Sequence, residues 1–133
     1  MIASEILEHI PNYLLVLAEI KRVLKPGGRL CISVPRQWPE WICWQLSEGY
    51  RNTPGGHIRI FDATHLRREV VREGFLFNSK GSAHALHVPY WWLKCLFWRR
   101  EAEPWVVRMY HKLLVWDLMS RPWLTRVVDA VLN

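Results

Sequence analysis

Two glutamates and a histidine near the amino terminus have a spacing that would let them act together. Glu5, Glu8 and His9 stand at i, i+3 and i+4, so a helical turn would place two carboxylates and an imidazole on one face. Such a set can coordinate a divalent ion, and oxygen ligands with imidazole suit magnesium or manganese. Pro11 disfavours helical geometry at Ile10, which predicts a short turn. Without a metal, His9 can act as a general base, because imidazole exchanges protons near neutral pH.

The residues after this turn predict a helix and a strand. Apolar residues at three- and four-residue spacings predict a helix over Asn12–Leu24, with Asn12 as its N-cap. The sequence Lys25–Gly28 should end it, because proline cannot continue the helix and glycine accepts a left-handed conformation. The apolar run Leu30–Val34, ended by Pro35, predicts a strand buried on both faces. Helix, glycine turn and strand form half of a βαβ unit.

The middle of the chain predicts two further helices. One should cover Trp38–Tyr50, with Pro39 in its first turn and an aromatic face. A polar loop, Arg51–Gly56, separates it from the next helix. Asp62 is expected to cap that helix, which should run through Glu73 before glycine ends it.

The last part of the chain predicts a hairpin followed by helices. Two short strands, Phe75–Asn78 and Ala83–Val88, are expected to pair across a Ser-Lys-Gly-Ser turn. Helical periodicity then predicts a helix over Pro104–Met119 and a last amphipathic helix over Pro122–Leu132.

The segment Tyr90–Arg100 combines a dense aromatic run with a basic end. It is too short to span a bilayer, but it could lie in the membrane interface, where tryptophan and arginine are favoured. Alternatively, it packs against the Trp38–Trp44 region as a lid on an apolar acceptor pocket. Acidic residues in the tail favour the lid, because they would not help adhesion to anionic lipid. Peripheral membrane contact therefore stays open as an alternative.

Four segments share a pattern with one known family. They are Ser4–Pro11 (SEILEHIP), Glu19–Leu30 (EIKRVLKPGGRL), His57–Phe61 and Glu73–Phe75. Together they resemble the central stretch of class I S-adenosylmethionine-dependent methyltransferases of the type 11 kind, over about two-thirds of the chain. The resemblance implies an α/β fold, namely the C-terminal part of a Rossmann-like sheet, strands four to seven, with extra C-terminal helices. It also implies a partial methyltransferase domain at residues 1–88 and a tryptophan-rich helical extension at 89–133.

The resemblance also implies an activity and a site. The activity is methyl transfer from S-adenosylmethionine to a small or lipophilic acceptor, on oxygen in preference to nitrogen or carbon. Ser4 matches the position where the family's chain passes the cofactor. The E-x-x-E-H arrangement is similar to the metal site of ubiquinone-pathway and small-RNA O-methyltransferases, which implies Glu5, Glu8, His9 and His57 as ligands of Mg²⁺. Many relatives carry a similar Leu-Glu-His turn and need no metal.

Glycines that would hold the cofactor are missing from the chain. In such folds a glycine-rich loop after the first strand binds the cofactor, and no G-x-G occurs here. We therefore expect Met1 to be a truncation or an internal start, and the isolated chain to show no saturable binding of S-adenosylmethionine. The competing hypothesis is a non-catalytic interaction module whose aromatic surface binds a partner subunit, one that supplies the cofactor half.

Composition and charge narrow the classes of partner and compartment. The chain of 133 residues fits one small domain, and its net charge of +6 is spread rather than concentrated in a basic stripe. No nucleic-acid partner is therefore expected. The three cysteines are far apart and show no C-x-x-C spacing, which indicates a reducing cytosol. Acidic residues stand where a signal peptide would be basic, so we expect a cytoplasmic protein.

Overall fold

The computed structural model describes residues 1–81, 86–100 and 102–120. The elements within these ranges are, in chain order, β1 (Ile2–Ser4), a 3₁₀ turn (Leu7–His9), α1 (Tyr13–Val23), β2 (Cys31–Ser33), α2 (Gln37–Leu46), α3 (Glu48–Arg51), α4 (Ala63–Arg72), α5 (His87–Leu96) and α6 (Trp105–Ser120). The chain divides into two compact units, residues 1–41 with 51–78 and residues 42–50 with 79–133. The domain boundary expected after residue 88 stays a prediction.

Helix α1 confirms the helix predicted from apolar spacing. Leu17 and Ile20 are buried on its inner face, and the amide of Leu24 donates to the Ile20 carbonyl at 3.0 Å to close the last turn. Asn12 is the N-cap residue of this helix, as predicted, although its side chain forms no capping hydrogen bond. Gly27 then takes a φ of +73°, a left-handed conformation that costs glycine little, and the chain turns back towards β2.

The two strands form a parallel pair. Ala3 lies opposite Ile32, and Ser4 lies opposite Ser33. The strand predicted between Leu30 and Val34 is confirmed as β2, but its burial on both faces is wrong. Cys31 and Ser33 are exposed and Ile32 is only half-buried. Within the described residues the sheet has two strands, and one face of it, which carries Ile2, Ser4, Cys31 and Ser33, is exposed. A parallel strand pair with helices confirms the predicted α/β class.

Helix α4 confirms the predicted cap. The Asp62 carboxylate accepts a hydrogen bond from the His65 amide at 2.7 Å, which satisfies one free donor of the first turn. Leu66 is buried on the inner face of the helix. Gly74 ends the helix with a φ of +85°.

The predicted hairpin is wrong. Residues 75–78 form no strand, and α5 begins at His87, inside the second predicted strand; residues 82–85 lie outside the described residues. The ring of Phe75 lies 4.9 Å from Lys21 Nζ, and the ring of Phe77 lies 3.9 Å from Arg67 Cζ. Leu76 between them is 98% exposed. The aromatic rings of this segment thus pack on cations of α1 and α4, and among the described residues no strand pairs with it.

One apolar cluster joins the elements of the first unit. Leu7, Leu17, Phe61 and Leu66 are buried together, and they come from the 3₁₀ turn, α1, the segment before α4, and α4 itself. Because Leu7 is fully buried in this cluster, the residues that follow it are held in place.

The second unit is built on aromatic packing. The Tyr50 ring lies 5.3 Å from the Trp98 ring and 6.0 Å from the Trp91 ring. The single helix predicted over Trp38–Tyr50 is divided in two, because Ser47 interrupts it and accepts a hydrogen bond from the Tyr50 amide at 3.1 Å. This hydroxyl cap begins α3.

Helices α5 and α6 pack against each other in the same unit. Val107 and Leu114 are buried on α6, and the Tyr110 hydroxyl donates to the Leu86 carbonyl at 3.0 Å. The helix predicted over Pro104–Met119 is confirmed as α6. The helix predicted over Pro122–Leu132 lies outside the described residues. Among the helices that the structure describes, none combines the length and apolar character needed to cross a membrane.

Candidate functional site

The carboxyl ends of both strands bring three polar side chains together. The hydroxyls of Ser4 and Ser33 lie 2.8 Å apart, and Ser33 donates to the Glu5 carboxylate at 2.8 Å. The Glu5 amide donates to the Ser33 carbonyl at 3.1 Å, and Glu5 takes a φ of 51°. A left-handed conformation at a non-glycine residue is strained, and such residues concentrate at functional sites. The chain bends here and enters the 3₁₀ turn.

Arg59 holds the 3₁₀ turn from outside. Its guanidinium donates to the carbonyl of Leu7 at 2.9 Å, to that of Ile10, and to that of Pro11 at 2.6 Å. The same group lies 5.0 Å from the centre of the Tyr13 ring. The planar fork of arginine suits several acceptors at once. Arg59 therefore fixes the backbone that carries Glu8 and His9.

The carboxylate of Glu8 is the least accessible charged group of the site. Its side chain is 1% exposed, and neither oxygen accepts a hydrogen bond from another described residue. Burial raises the pKa of Glu8 above its ordinary value, and the charge of Glu5 adds to this, while both neighbouring histidines act in the opposite direction. A buried carboxylate without donors is costly, and it calls for a compensating group.

The imidazole of His9 is fixed through its Nδ1 atom. This nitrogen lies 2.9 Å from the Gly55 carbonyl oxygen and 3.1 Å from that of Gly56. Carbonyl oxygens can only accept, so Nδ1 carries a proton, and Nε2 of the neutral ring has the lone pair. This Nε2 lies 4.0 Å from Glu8 Oε1. Gly55 reaches this arrangement with a φ of +75°, which explains the glycine.

His57 lies beside His9 and approaches the same carboxylate oxygen. Its Nε2 lies 3.9 Å from Glu8 Oε1, and its Nδ1 lies 2.7 Å from Glu40 Oε1. The hydrogen bond to Glu40 is the main cause that raises the pKa of His57, and burial opposes it. The two imidazole rings are 4.8 Å apart at an interplanar angle of 67°.

The structure thus brings together three of the four residues expected to bind a metal. Potential ligand atoms of Glu8, His9 and His57 lie within 4.8 Å of one another. Glu5 is exposed and lies outside this group, with its carboxylate held by Ser33. Two ligands of one ion at about 2.1 Å each are about 3–3.5 Å apart, so the contacts to Glu8 would shorten by about 0.5–1 Å on binding. A buried carboxylate whose oxygen lies 4.0 and 3.9 Å from Nε2 of two histidines, each of which offers a lone pair in its neutral form, fits a divalent ion.

Two residues of this site carry no signal in the sequence. In the sequence, Glu40 is an ordinary acidic residue of a predicted first helical turn, and Arg59 is a single basic residue in a predicted loop. Their partners are 17 residues away for Glu40 and about 50 for Arg59, so only the folded chain reveals their roles.

The chain matches the model of a known protein family. A family model described as a methyltransferase domain matches residues 1–77, a range that contains every residue of the site above. Comparisons with curated proteins and with solved structures found no match. Because the match covers more than half of the 133 residues, the chain belongs to the methyltransferase-domain family, and residues 1–77 are a region of the class I S-adenosylmethionine-dependent type.

Proposed function

We propose that this chain serves methyl transfer from S-adenosylmethionine to an oxygen atom of a small or lipophilic acceptor. The observation that carries the proposal is the buried Glu8 carboxylate, which faces Nε2 of His9 and Nε2 of His57. These three residues would hold a divalent ion, either Mg²⁺ or Mn²⁺, and Glu5 is a further candidate ligand. Such an ion, when bound, lowers the pKa of an acceptor hydroxyl and orients its oxygen.

The reaction needs a deprotonated oxygen and a methyl group in line with it. The acceptor oxygen attacks the methyl carbon, the carbon–sulfur bond breaks, and its electron pair stays on sulfur, which leaves as a neutral thioether. In a site without metal, His9 would take the proton of the acceptor hydroxyl. Its Nδ1 proton is engaged by the Gly55 and Gly56 carbonyls, so Nε2 is the atom able to accept.

The cofactor would lie along the carboxyl ends of the strands. Ser4 is exposed at the end of β1, beside the exposed hydroxyl of Ser33. Ligands of α/β folds bind at this edge of the sheet, which supports Ser4 as a cofactor contact. The assignment of β1 and β2 to strands four and five of a larger sheet is part of the same proposal. A glycine loop would then come from residues encoded ahead of Met1 or from a partner subunit.

Methyl transfer can be measured with a labelled methyl donor and with catechol and long-chain phenol acceptors, in the presence and absence of MnCl₂. The 133-residue chain is compared with the longer product that any in-frame codons ahead of Met1 encode. We expect transfer where a glycine loop is present, and its loss by about 100-fold or more in Glu8→Gln and His9→Ala. The exposed His65 provides the control, and His65→Ala should keep full activity. Activity that survives both site substitutions would refute the site, and inactivity of every preparation would refute the function.

A second candidate function is an interaction module. In the second unit Trp105 is 69% exposed and Met119 is 79% exposed, which favours a binding surface. Glu103 is neutralised by Lys94 at 2.8 Å and Asp117 is buried, so neither would oppose an anionic surface strongly. The proposed partner is a membrane surface or a partner subunit.

Flotation with lipid vesicles tests whether the partner of this surface is a membrane. Vesicles that contain phosphatidylserine should carry the chain upward, neutral vesicles less so, and Trp105→Ala should reduce the bound fraction. A chain that stays at the bottom with both kinds of vesicle does not bind membranes through this surface.

A further inference from the structure

Glu40 is the residue behind His57, and it lies in the first turn of α2. Its side chain is 8% exposed, and its Oε1 lies 2.7 Å from His57 Nδ1. Glu40 therefore places a carboxylate oxygen beside Nδ1 of His57.

The contact with Glu40 decides which nitrogen of His57 faces the site. The carboxylate oxygen of Glu40 is an acceptor for Nδ1, so in the neutral ring the His57 proton is on Nδ1 and the lone pair is on Nε2, which lies 3.9 Å from Glu8 Oε1. His9 has the same arrangement, with backbone carbonyls in the place of the carboxylate. Imidazoles that bind metals commonly donate their other N–H to a carboxylate or a carbonyl, which fixes the tautomer and makes the ring more basic.

We propose that Glu40 is a positioning residue, which fixes His57 in the Nδ1–H tautomer and directs its Nε2 at Glu8, so that the three-residue cluster binds a divalent ion more tightly. Only the part of the inference that concerns metal affinity rests on the proposed function, because the tautomer of His57 is a property of the chain without metal. Glu40 touches neither the ion nor the acceptor in this scheme.

The tautomer is measured first, on the full chain without metal, by long-range ¹⁵N NMR correlations of the imidazoles at about pH 9, where neutral rings prevail. Wild-type His57 should show a protonated Nδ1. Glu40→Ala should lose this preference, and Glu40→Gln should keep it, because a glutamine oxygen still accepts the Nδ1 proton. A wild-type His57 protonated on Nε2 overturns the inference.

Binding of Mn²⁺ is then measured by calorimetry with MnCl₂ alone. Glu40→Ala should weaken binding by about 10–100-fold, and Glu40→Gln should restore most of the loss. Glu19→Ala is the matched control, because it removes a carboxylate that pairs with exposed Arg22 on α1. Equal affinities for wild type and Glu40→Ala overturn the inference, as does a glutamine variant no better than the alanine variant.

The two failures are distinguishable. Wild-type chain that binds no Mn²⁺ but has His57 protonated on Nδ1 refutes the metal site of the proposed function and supports the positioning by Glu40. If Glu40→Ala does not fold, the wild-type tautomer and the glutamine variant still decide the result.

Discussion

Replacing Arg59 by alanine should loosen the turn that carries Glu8 and His9. The substitution removes two part-buried hydrogen bonds, to the Leu7 and Ile10 carbonyls, and one exposed bond to the Pro11 carbonyl. Bonds from a charged donor contribute about 1.5–3 kcal/mol each, and we take the lower end for the part-buried pair and little for the exposed one. Packing of the guanidinium on the Tyr13 ring adds about 0.5–1 kcal/mol. The free energy of unfolding should therefore fall by about 3–4 kcal/mol.

Two further variants make this prediction specific. Arg59→Lys keeps the charge but has one nitrogen in place of a fork, so about 2 kcal/mol should be lost. Arg22→Ala is the control, because Arg22 forms an exposed ion pair with Glu19 on α1, and its loss should be at most about 0.5 kcal/mol. Urea unfolding followed by far-UV circular dichroism gives the three values.

The affinity for Mn²⁺ provides a second measurement on the same variants. Arg59→Ala should weaken binding while Arg22→Ala leaves it unchanged, because only the first alters the backbone of Glu8 and His9. A loss of stability below about 1 kcal/mol for Arg59→Ala would mean that water replaces the guanidinium at the carbonyls, and the reasoning would fail.

Three more predictions concern the same turn. Glu5→Gly should be more stable than Glu5→Ala by about 0.5–1 kcal/mol in urea unfolding. The left-handed φ costs an L-residue about 1–2 kcal/mol, and the greater flexibility of unfolded glycine offsets about half of the gain from removing that cost. Equal stabilities of the two variants would contradict this. Because the pKa of Glu8 is raised in the folded chain, the folded chain keeps a proton that the unfolded chain loses near pH 4.5. The free energy of unfolding should therefore fall as pH rises from 4.5 through the folded-state pKa of Glu8. The variant Glu8→Gln should not show this fall. A pH profile of unfolding that is identical for the variant would count against it. Mn²⁺ at about 100 times its dissociation constant should stabilise wild type by about 2.7 kcal/mol, reversibly with EDTA, and should not stabilise Glu8→Gln; thermal unfolding that shifts equally in both would rule out Glu8 as a ligand.

The sequence alone determined the elements that depend on nearby residues. The helix α1, its exit through Gly27 and the Asp62 cap of α4 were predicted from residues within one or two turns of each other, because apolar spacing and capping act over that distance. The family resemblance was likewise present in short motifs, and the family match over residues 1–77 confirms it. The spacing of Glu8 and His9 also put them in one turn.

Local patterns were misleading where a segment needed a distant neighbour. The apolar run of β2 predicted burial on both faces, but burial depends on which elements cover the sheet, and Cys31 and Ser33 are exposed. The alternation around Phe75 and Phe77 predicted a strand, but these rings meet Lys21 and Arg67 instead. An alternating pattern in the sequence indicates which face of a strand is apolar, but it does not indicate which residues pack on that face.

The tertiary structure alone decided how the candidate site is assembled. It brought His57 to the Glu8 carboxylate, set Glu40 behind His57, and placed the Arg59 guanidinium on the turn. These contacts join residues separated by 17 to 52 positions. Contacts over such distances arise when packing of Leu7, Leu17, Phe61 and Leu66 closes the loops between them, and that packing has no counterpart in any local spacing.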